Sequence, residues 1–407
     1  MTPTTSSAAA SASQAGPTTQ PQPSSSVTKD INGAVTEDEA ALYDRQIRLW
    51  GLEAQNRLRT AHILIVGWNG IATETIKNTV LSGIGSITIL DPTLIDASTD
   101  LLSGFFFRDE EVGQPKCSSG PLDRVRSLNP LVKVTGVHDA SSYETFLDGG
   151  EPAQTWLKDQ AIDVVVAGTP LPTTPAGGDG LMAKLITMNQ TTRAAGLKFF
   201  LSGTYGFGGF YFADQITHDY LVERAAPPPT ATTTTTTEQT EKKRIKQRQT
   251  FTSLSDSLSY TWTGLTDRQQ RRIRPPLDWF VWLALCDLES RLGQTWSSSS
   301  TSISANALKD RTVALIREKG FKPELILGCL AGAETDSVFE SIVKLGGTGA
   351  TLAPVGSVLG GLMAQDILNS ISGREEPVVN WIFLHMDASG SATVHRIGDL
   401  TNAVVVD

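Results

Sequence analysis

His62 to Val66 (HILIV) is a short apolar run, and Gly67-Trp68-Asn69-Gly70 after it is a turn. Ile71, Thr75, Asn78 and Leu81 then stand at helical spacing, Gly83-Ile84-Gly85 closes that helix, and Ser86 to Leu90 (SITIL) is a second apolar run ending at Asp91. Two strands joined by one crossover helix must lie parallel, because a tight hairpin joins only antiparallel neighbours. The alternation continues through Val132–Val137, Asp163–Val166 (DVVV), a helix over Leu181–Ala194, and Lys198–Leu201 (KFFL). A chain that alternates in this way predicts an α/β fold, a Rossmann-like doubly wound sheet with helices on both faces.

The flanks of this core read differently. Residues 1–35 are rich in Ser, Thr, Ala, Pro and Gln and are expected to form a disordered tail. Thr36 and Glu39 have the spacing of a capping box, and a helix over Glu39–Leu49 is expected, interrupted at Gly51 and followed by a second to about Arg59. After Asp214 the alternation stops. Residues 226–250 hold three prolines, a threonine run and the basic cluster Lys242–Arg248, read as a flexible linker. That cluster is either a nuclear import signal or a solvated charge run. Leu277–Leu292, Ala305–Glu318 and the glycine-containing Thr351–Ile371 are predicted helices, and Val378–Met386 and Ala392–Ile397 closing strands. The expected organisation is a tail (1–35), the first part of a nucleotide-binding-type domain (36–214), a smaller inserted domain (215–330) and the closing part of the first domain (331–407).

Charge and cysteines narrow the function classes. A formal net charge of −9 argues against nucleic acid as a partner. The three cysteines, Cys117, Cys286 and Cys329, form no C-x-x-C pair, so no metal site is expected. The residues up to Thr28 lack Lys, Arg and an apolar core, matching neither a signal peptide nor a transit peptide. Thr351–Ala364 is too short to span a bilayer, so no membrane partner is expected.

In nucleotide-binding βαβ units, glycines let the backbone approach phosphates at a helix N-terminus, and an acid about 20 residues on takes the ribose. Gly67, Gly70 and Asp91 suit those places, but Asn69 stands where a side chain crowds the phosphates. Packing of strand, turn and helix accounts for the glycines equally well.

Tyr43-Asp-Arg-Gln-Ile-Arg-Leu-Trp-Gly51 is more specific. It resembles the opening of the ubiquitin-like-modifier activating enzymes and their bacterial ThiF and MoeB relatives. The continuation Leu52–Arg59 is similar to the small subunits of SUMO-activating enzymes, and Leu352–Leu368 resembles the family's helix against the nucleotide-binding sheet, with Gly356, Gly360 and Gly361 allowing close approach. The resemblance covers roughly residues 38–214 and 330–398.

Catalytic members join ATP to the C-terminal glycine of a small modifier. Set against their pattern, Asp91 and Asp96 are kept, while Thr93 replaces an acid and Ser98–Gly104 replaces a stretch that carries two Asn and an Arg. Lys116 falls on the family's Lys. Ala167–Pro172 follows DVVV in place of the metal aspartate. The resemblance therefore implies a degenerate nucleotide site at Gly67, Gly70, Asp91 and Lys116, with no cofactor bound by this chain. No thioester-cysteine motif is present; Cys286 and Cys329 read as structural thiols, and Lys116 is a neighbour able to lower the pKa of Cys117.

What the resemblance leaves to this chain is Arg45, which in the family reaches across a pseudo-twofold interface to the phosphates in the partner's ATP site. Trp50 and Leu49 are expected to pack the helix onto a domain and Gln46 to set the direction of Arg45. The implied function is that of a regulatory subunit in an obligate heterodimer, with ATP, Mg²⁺, SUMO's tail and the thioester cysteine on the larger subunit, in the nucleus and cytoplasm. Three alternatives stay open: the small subunit for a Nedd/Rub-type modifier, a nucleotide-cofactor oxidoreductase, and a degenerate Rossmann scaffold.

Overall fold

The computed structural model describes residues 36–169, 171, 180–225, 242–292, 303–328, 333–346, 350–386, 391–398 and 403–406. The expected tail at 1–35, Cys329, and residues 226–241 of the expected linker lie outside these.

Strands β1 (His62–Val66), β2 (Ser86–Leu90), β3 (Lys133–Val137), β4 (Val164–Thr169) and β5 (Lys198–Tyr205) run parallel in the order β3-β2-β1-β4-β5. The antiparallel strands β6 (Gly208–Asp214), β9 (Trp381–Met386) and β10 (Ala392–Ile397) extend that sheet to eight strands. The order reverses between β1 and β4, which is where a doubly wound sheet opens its ligand crevice.

Side chains of the central strands alternate between two cores. Ile63 and Ile65 of β1 and Val164 and Val166 of β4 face one; Leu64, Val66, Val165 and Ala167 face the other. Both faces are covered, which explains strands that read as unbroken apolar runs. On the first face lie α4 (Gly70–Leu81) and the helix Ala353–Ser372; on the second lie the helices Leu181–Ala194, Leu277–Leu292 and Ala305–Glu318.

The helix expected over 39–49 breaks into α1 (Glu37–Leu42) and α2 (Asp44–Trp50), followed by α3 (Leu52–Thr60). The break falls at Tyr43, which leaves helical geometry to bury its ring. Asn129 donates to its hydroxyl at 2.7 Å, and the ring fills the space beside Gly83, where any Cβ would collide with it.

A second departure concerns residues 242–250. They form β8 (Lys242–Thr250), paired with β7 (Thr217–Ala225) and with β11 (Val404–Val405) in a small antiparallel sheet. Gln247 and Gln249 point inward while Lys246 and Arg248 face solvent. The inward face is polar, so the period-two signal of a strand is invisible to a reading based on hydrophobicity. Lys246 and Arg248 both pair with Asp219, at 3.2 and 2.5 Å.

The glycines of Ala353–Ser372 also act differently from expectation. A Cβ on Gly360 would strike Glu74 and the Ile71 carbonyl of α4, so the close approach is helix to helix. Gly361 faces open space. Among the described residues no helix is long and apolar enough to cross a membrane.

Candidate functional site

Gly67 ends β1 with φ of +83°, and the chain turns at once into α4. Asn69 caps that helix: its side-chain oxygen accepts from the Ala72 N–H at 2.9 Å, and its amide donates to the Thr169 carbonyl at 3.2 Å. One of the first-turn N–H groups that an anion would use, that of Ala72, is therefore already bonded. Above Gly70 there is no room, since even a methyl group would collide with Ser103 and Thr351.

Asp91 lies at the C-terminal end of β2 and is wholly buried. One oxygen accepts from the Trp68 N–H at 2.7 Å; the other accepts from the Thr93 N–H at 2.8 Å and its hydroxyl at 2.5 Å. Lys116 sits 2.8 Å from Asp100 and 3.9 Å from Asp91, and donates to the Trp68 carbonyl at 3.2 Å. Burial pushes the Asp100 carboxyl up from its usual range, and Lys116 pulls against it. The Trp68 ring, 1% exposed, packs between Phe106 and Phe107, with its indole donating to Thr73.

Gly67, Gly70, Asp91 and Lys116 are thus brought together, yet the Asp91 carboxylate and the Lys116 ammonium are already engaged within the chain. The residues present do not fit a nucleotide. Asp100, Trp68 and Ser103 are what the sequence reading missed. An acid 16 positions before Lys116 carries no local signal, and only the folded loop places it there. Asp96, which also aligned with the family pattern, accepts from the Ser98 and Thr99 N–H groups in a local turn.

Cys117 departs from expectation. Burial and then Asp91 push its thiol up to about 12, outweighing Lys116. Cys286 is buried in its helix, and burial raises it well above the usual thiol range. Among the described residues no group of three His, Cys, Asp or Glu side chains is placed to hold a metal ion.

Arg45 occupies a different setting. It lies exposed on α2, with no hydrogen bond or ion pair to any described residue, whereas Arg48 is held by Asp44 at 3.0 Å. A cavity of about 540 Å³ opens beside it, lined in part by Tyr43, Gln46, Leu81 and Asn129. Gln46 makes no bond to Arg45, and its side-chain oxygen is buried without a partner among the described residues. Trp50 packs against the first core, but Leu49 is 71% exposed and belongs to neither core among the described residues. Leu42, Leu52 and Leu81 are also exposed nearby.

The family model described as "ThiF family" matches residues 43–399. The chain belongs to the ThiF family. It is similar to SUMO-activating enzyme subunit 1 of Rattus norvegicus, 27% identical over 372 residues that make up 89% of this chain and 96% of that protein. The protein of the same name from Xenopus laevis is 28% identical over 86% of this chain and 93% of its own length. DNA damage tolerance protein RHC31 of Saccharomyces cerevisiae is 31% identical over 86% of this chain and 94% of its own. The likeness spans the inserted region as well as the sheet.

Proposed function

We propose that this ThiF-family chain is the regulatory small subunit of a heterodimeric SUMO-activating enzyme and contributes Arg45 in trans to the adenylation site of its larger partner. The observation that carries this reading is a contrast within one domain. The chain's own nucleotide turn is closed by Asn69, Trp68, Ser103 and the Lys116–Asp100 pair, while Arg45 is exposed on α2 with no charge partner among the described residues. Similarity to SUMO-activating enzyme subunit 1 over nearly the whole of those proteins supports the choice of modifier.

On this reading the larger subunit holds ATP, Mg²⁺, SUMO's C-terminal tail and the thioester cysteine. The tail's carboxylate attacks the α-phosphorus of ATP and pyrophosphate leaves. A guanidinium fixed at the phosphates offsets charge that grows along that path, the logic of an arginine finger. The exposed Leu42, Leu49 and Leu52 around Arg45 suit an obligate apolar interface. Nuclear residence goes with the same reading.

ATP–pyrophosphate exchange tests it, with this chain, a SUMO-activating large subunit, SUMO and Mg-ATP, each protein omitted in turn. Exchange is expected only with both chains, and Arg45→Ala is expected to lower it by about a thousandfold. Exchange by this chain alone would overturn the reading. Exchange only with a Nedd/Rub-type modifier and its large subunit would reassign the partner.

A further inference from the structure

α2 carries Arg45 with little packing of its own: the helix has seven residues and none of them is buried. A helix that short does not persist on its internal hydrogen bonds, so its direction is set by what holds its ends. At the C-terminal end Trp50 packs against the first core. At the N-terminal end the hold is Tyr43, two residues before Arg45. Its carbonyl accepts from the Ile47 N–H at 2.8 Å and so opens the helix.

Tyr43 is itself firmly seated. It is 4% exposed, and its ring lies against the backbone of Gly83, just past the end of α4. Asn129 completes the attachment. Its amide nitrogen donates to the Tyr43 hydroxyl at 2.7 Å and to the Val80 carbonyl at 2.9 Å. An amide nitrogen carries two hydrogens, so both are used. The amide oxygen accepts from the Leu131 N–H at 3.2 Å, which fixes Asn129 in turn. The Tyr43 hydroxyl is thereby tied to the last turn of α4, and through α4 to the β1–α4–β2 unit.

Two features leave this bond without reinforcement. The cavity of about 540 Å³ borders Tyr43, Arg45 and Asn129, so on that side no packing holds the start of α2. Gln46, the residue expected to direct Arg45, makes no bond to it.

We propose that Tyr43, through its hydrogen bond to Asn129, is a positioning residue for Arg45. The proposal rests on the role in trans given to Arg45 and adds the group that aims its guanidinium. Without the bond α2 pivots about its Trp50 end, and Arg45, close to the released end, is displaced. The helix is roughly 10 Å long, so a tilt of about 6° moves the released end by about 1 Å. A misplacement of that size costs on the order of a hundredfold in rate.

The test is ATP–pyrophosphate exchange by the reconstituted pair, with Arg45→Ala as the reference. Tyr43→Phe keeps the ring over Gly83 and removes only the hydroxyl. It is expected to lower kcat by about tenfold to a hundredfold, with KM for SUMO and heterodimer assembly by sedimentation unchanged. In the Arg45→Ala background the same substitution is expected to cause no further loss, because the group it misplaces is gone. Melting temperature checks that the variants are folded. Asn129→Ala, which removes the donor and keeps Tyr43, is expected to show the same dependence on Arg45 and decides the test if Tyr43→Phe is unfolded. Wild-type exchange by Tyr43→Phe overturns the proposal and leaves the role of Arg45 standing. An equal fold-loss with and without Arg45 also overturns it, since the hydroxyl would then act apart from Arg45. Undiminished exchange by Arg45→Ala brings down the reading of Arg45 itself, and this proposal with it.

Discussion

Glu39 and Arg59 form a two-pronged ion pair, with Arg59 Nε 3.0 Å from one carboxylate oxygen and Nη2 2.9 Å from the other, and both side chains at least 95% buried. The pair ties α1 to α3 and so fixes the stretch between them that carries Arg45. Breaking a buried pair from one side leaves an uncompensated charge. Glu39→Ala is therefore expected to cost about 3–5 kcal/mol, read as a lower urea midpoint. Replacing both partners with apolar residues, Glu39→Leu with Arg59→Met, is expected to recover most of that loss. If the single and double variants are equally unstable, the pair contributes through something other than charge compensation.

How much of this was legible in the sequence differs by element. The β1–α4–β2 unit was, because its strands are buried on both faces and its turn is local. The Tyr43–Gly51 segment was legible as a motif, but the burial of Tyr43 and the break it imposes depend on Asn129 and Gly83, which are remote in sequence. β8 was hidden by its inward glutamines. The closure of the nucleotide turn was half legible: Asn69 announced crowding, whereas the engagement of Lys116 by Asp100 is a tertiary fact with no local sign.

That engagement makes Lys116 a structural residue. Its side chain is 12% exposed and that of Asp100 is 6% exposed, so removing the ammonium leaves two buried acids, Asp91 and Asp100, without their cation. Lys116→Met is expected to lower stability by about 3 kcal/mol. Calorimetric titration of the isolated chain with Mg-ATP is expected to give no binding heat before or after the substitution. A site poised for phosphate would instead show binding that the substitution removes.

A second buried cluster governs pH dependence. Asp366, on the helix Ala353–Ser372, is raised from its usual 3.8 to about 7, first by burial, with the Val378 N–H, Arg396 and Lys198 opposing. Lys198 is lowered to about 8 by burial, and His218 to about 3, by burial and then by Lys198. For a carboxyl raised by folding, the native state holds the extra proton between pH 4 and 7. Its contribution is fully present at low pH and is lost as pH rises through that window. His218 acts in the opposite sense: its neutral burial costs least above pH 6.5 and most as pH falls toward 3. Asp366→Asn keeps the acceptor for Val378 and removes the ionisation. It is expected to raise stability at pH 8 by on the order of 3 kcal/mol and to converge with wild type near pH 4. Chemical denaturation at both pH values checks this. A constant difference across the range would mean that Asp366 does not titrate as described.

The role given to Arg45 divides into charge and shape, and the two can be separated. A guanidinium offers a planar fork of donors that grips two phosphate oxygens, while an ammonium offers the same charge at a point. Arg45 is exposed, so neither Arg45→Lys nor Arg45→Ala should change the stability of this chain by more than about 0.5 kcal/mol. In ATP–pyrophosphate exchange by the reconstituted pair, Arg45→Lys is expected to fall between wild type and Arg45→Ala, losing on the order of tenfold to a hundredfold. Arg48 serves as the internal control, because Asp44 already holds it on the same helix. Arg48→Ala is expected to leave exchange within about twofold of wild type. Equal losses for the two arginines would point to a general contribution of the α2 charge to assembly. A loss confined to Arg45, and graded by the chemistry of its replacement, is what contact with the phosphates requires.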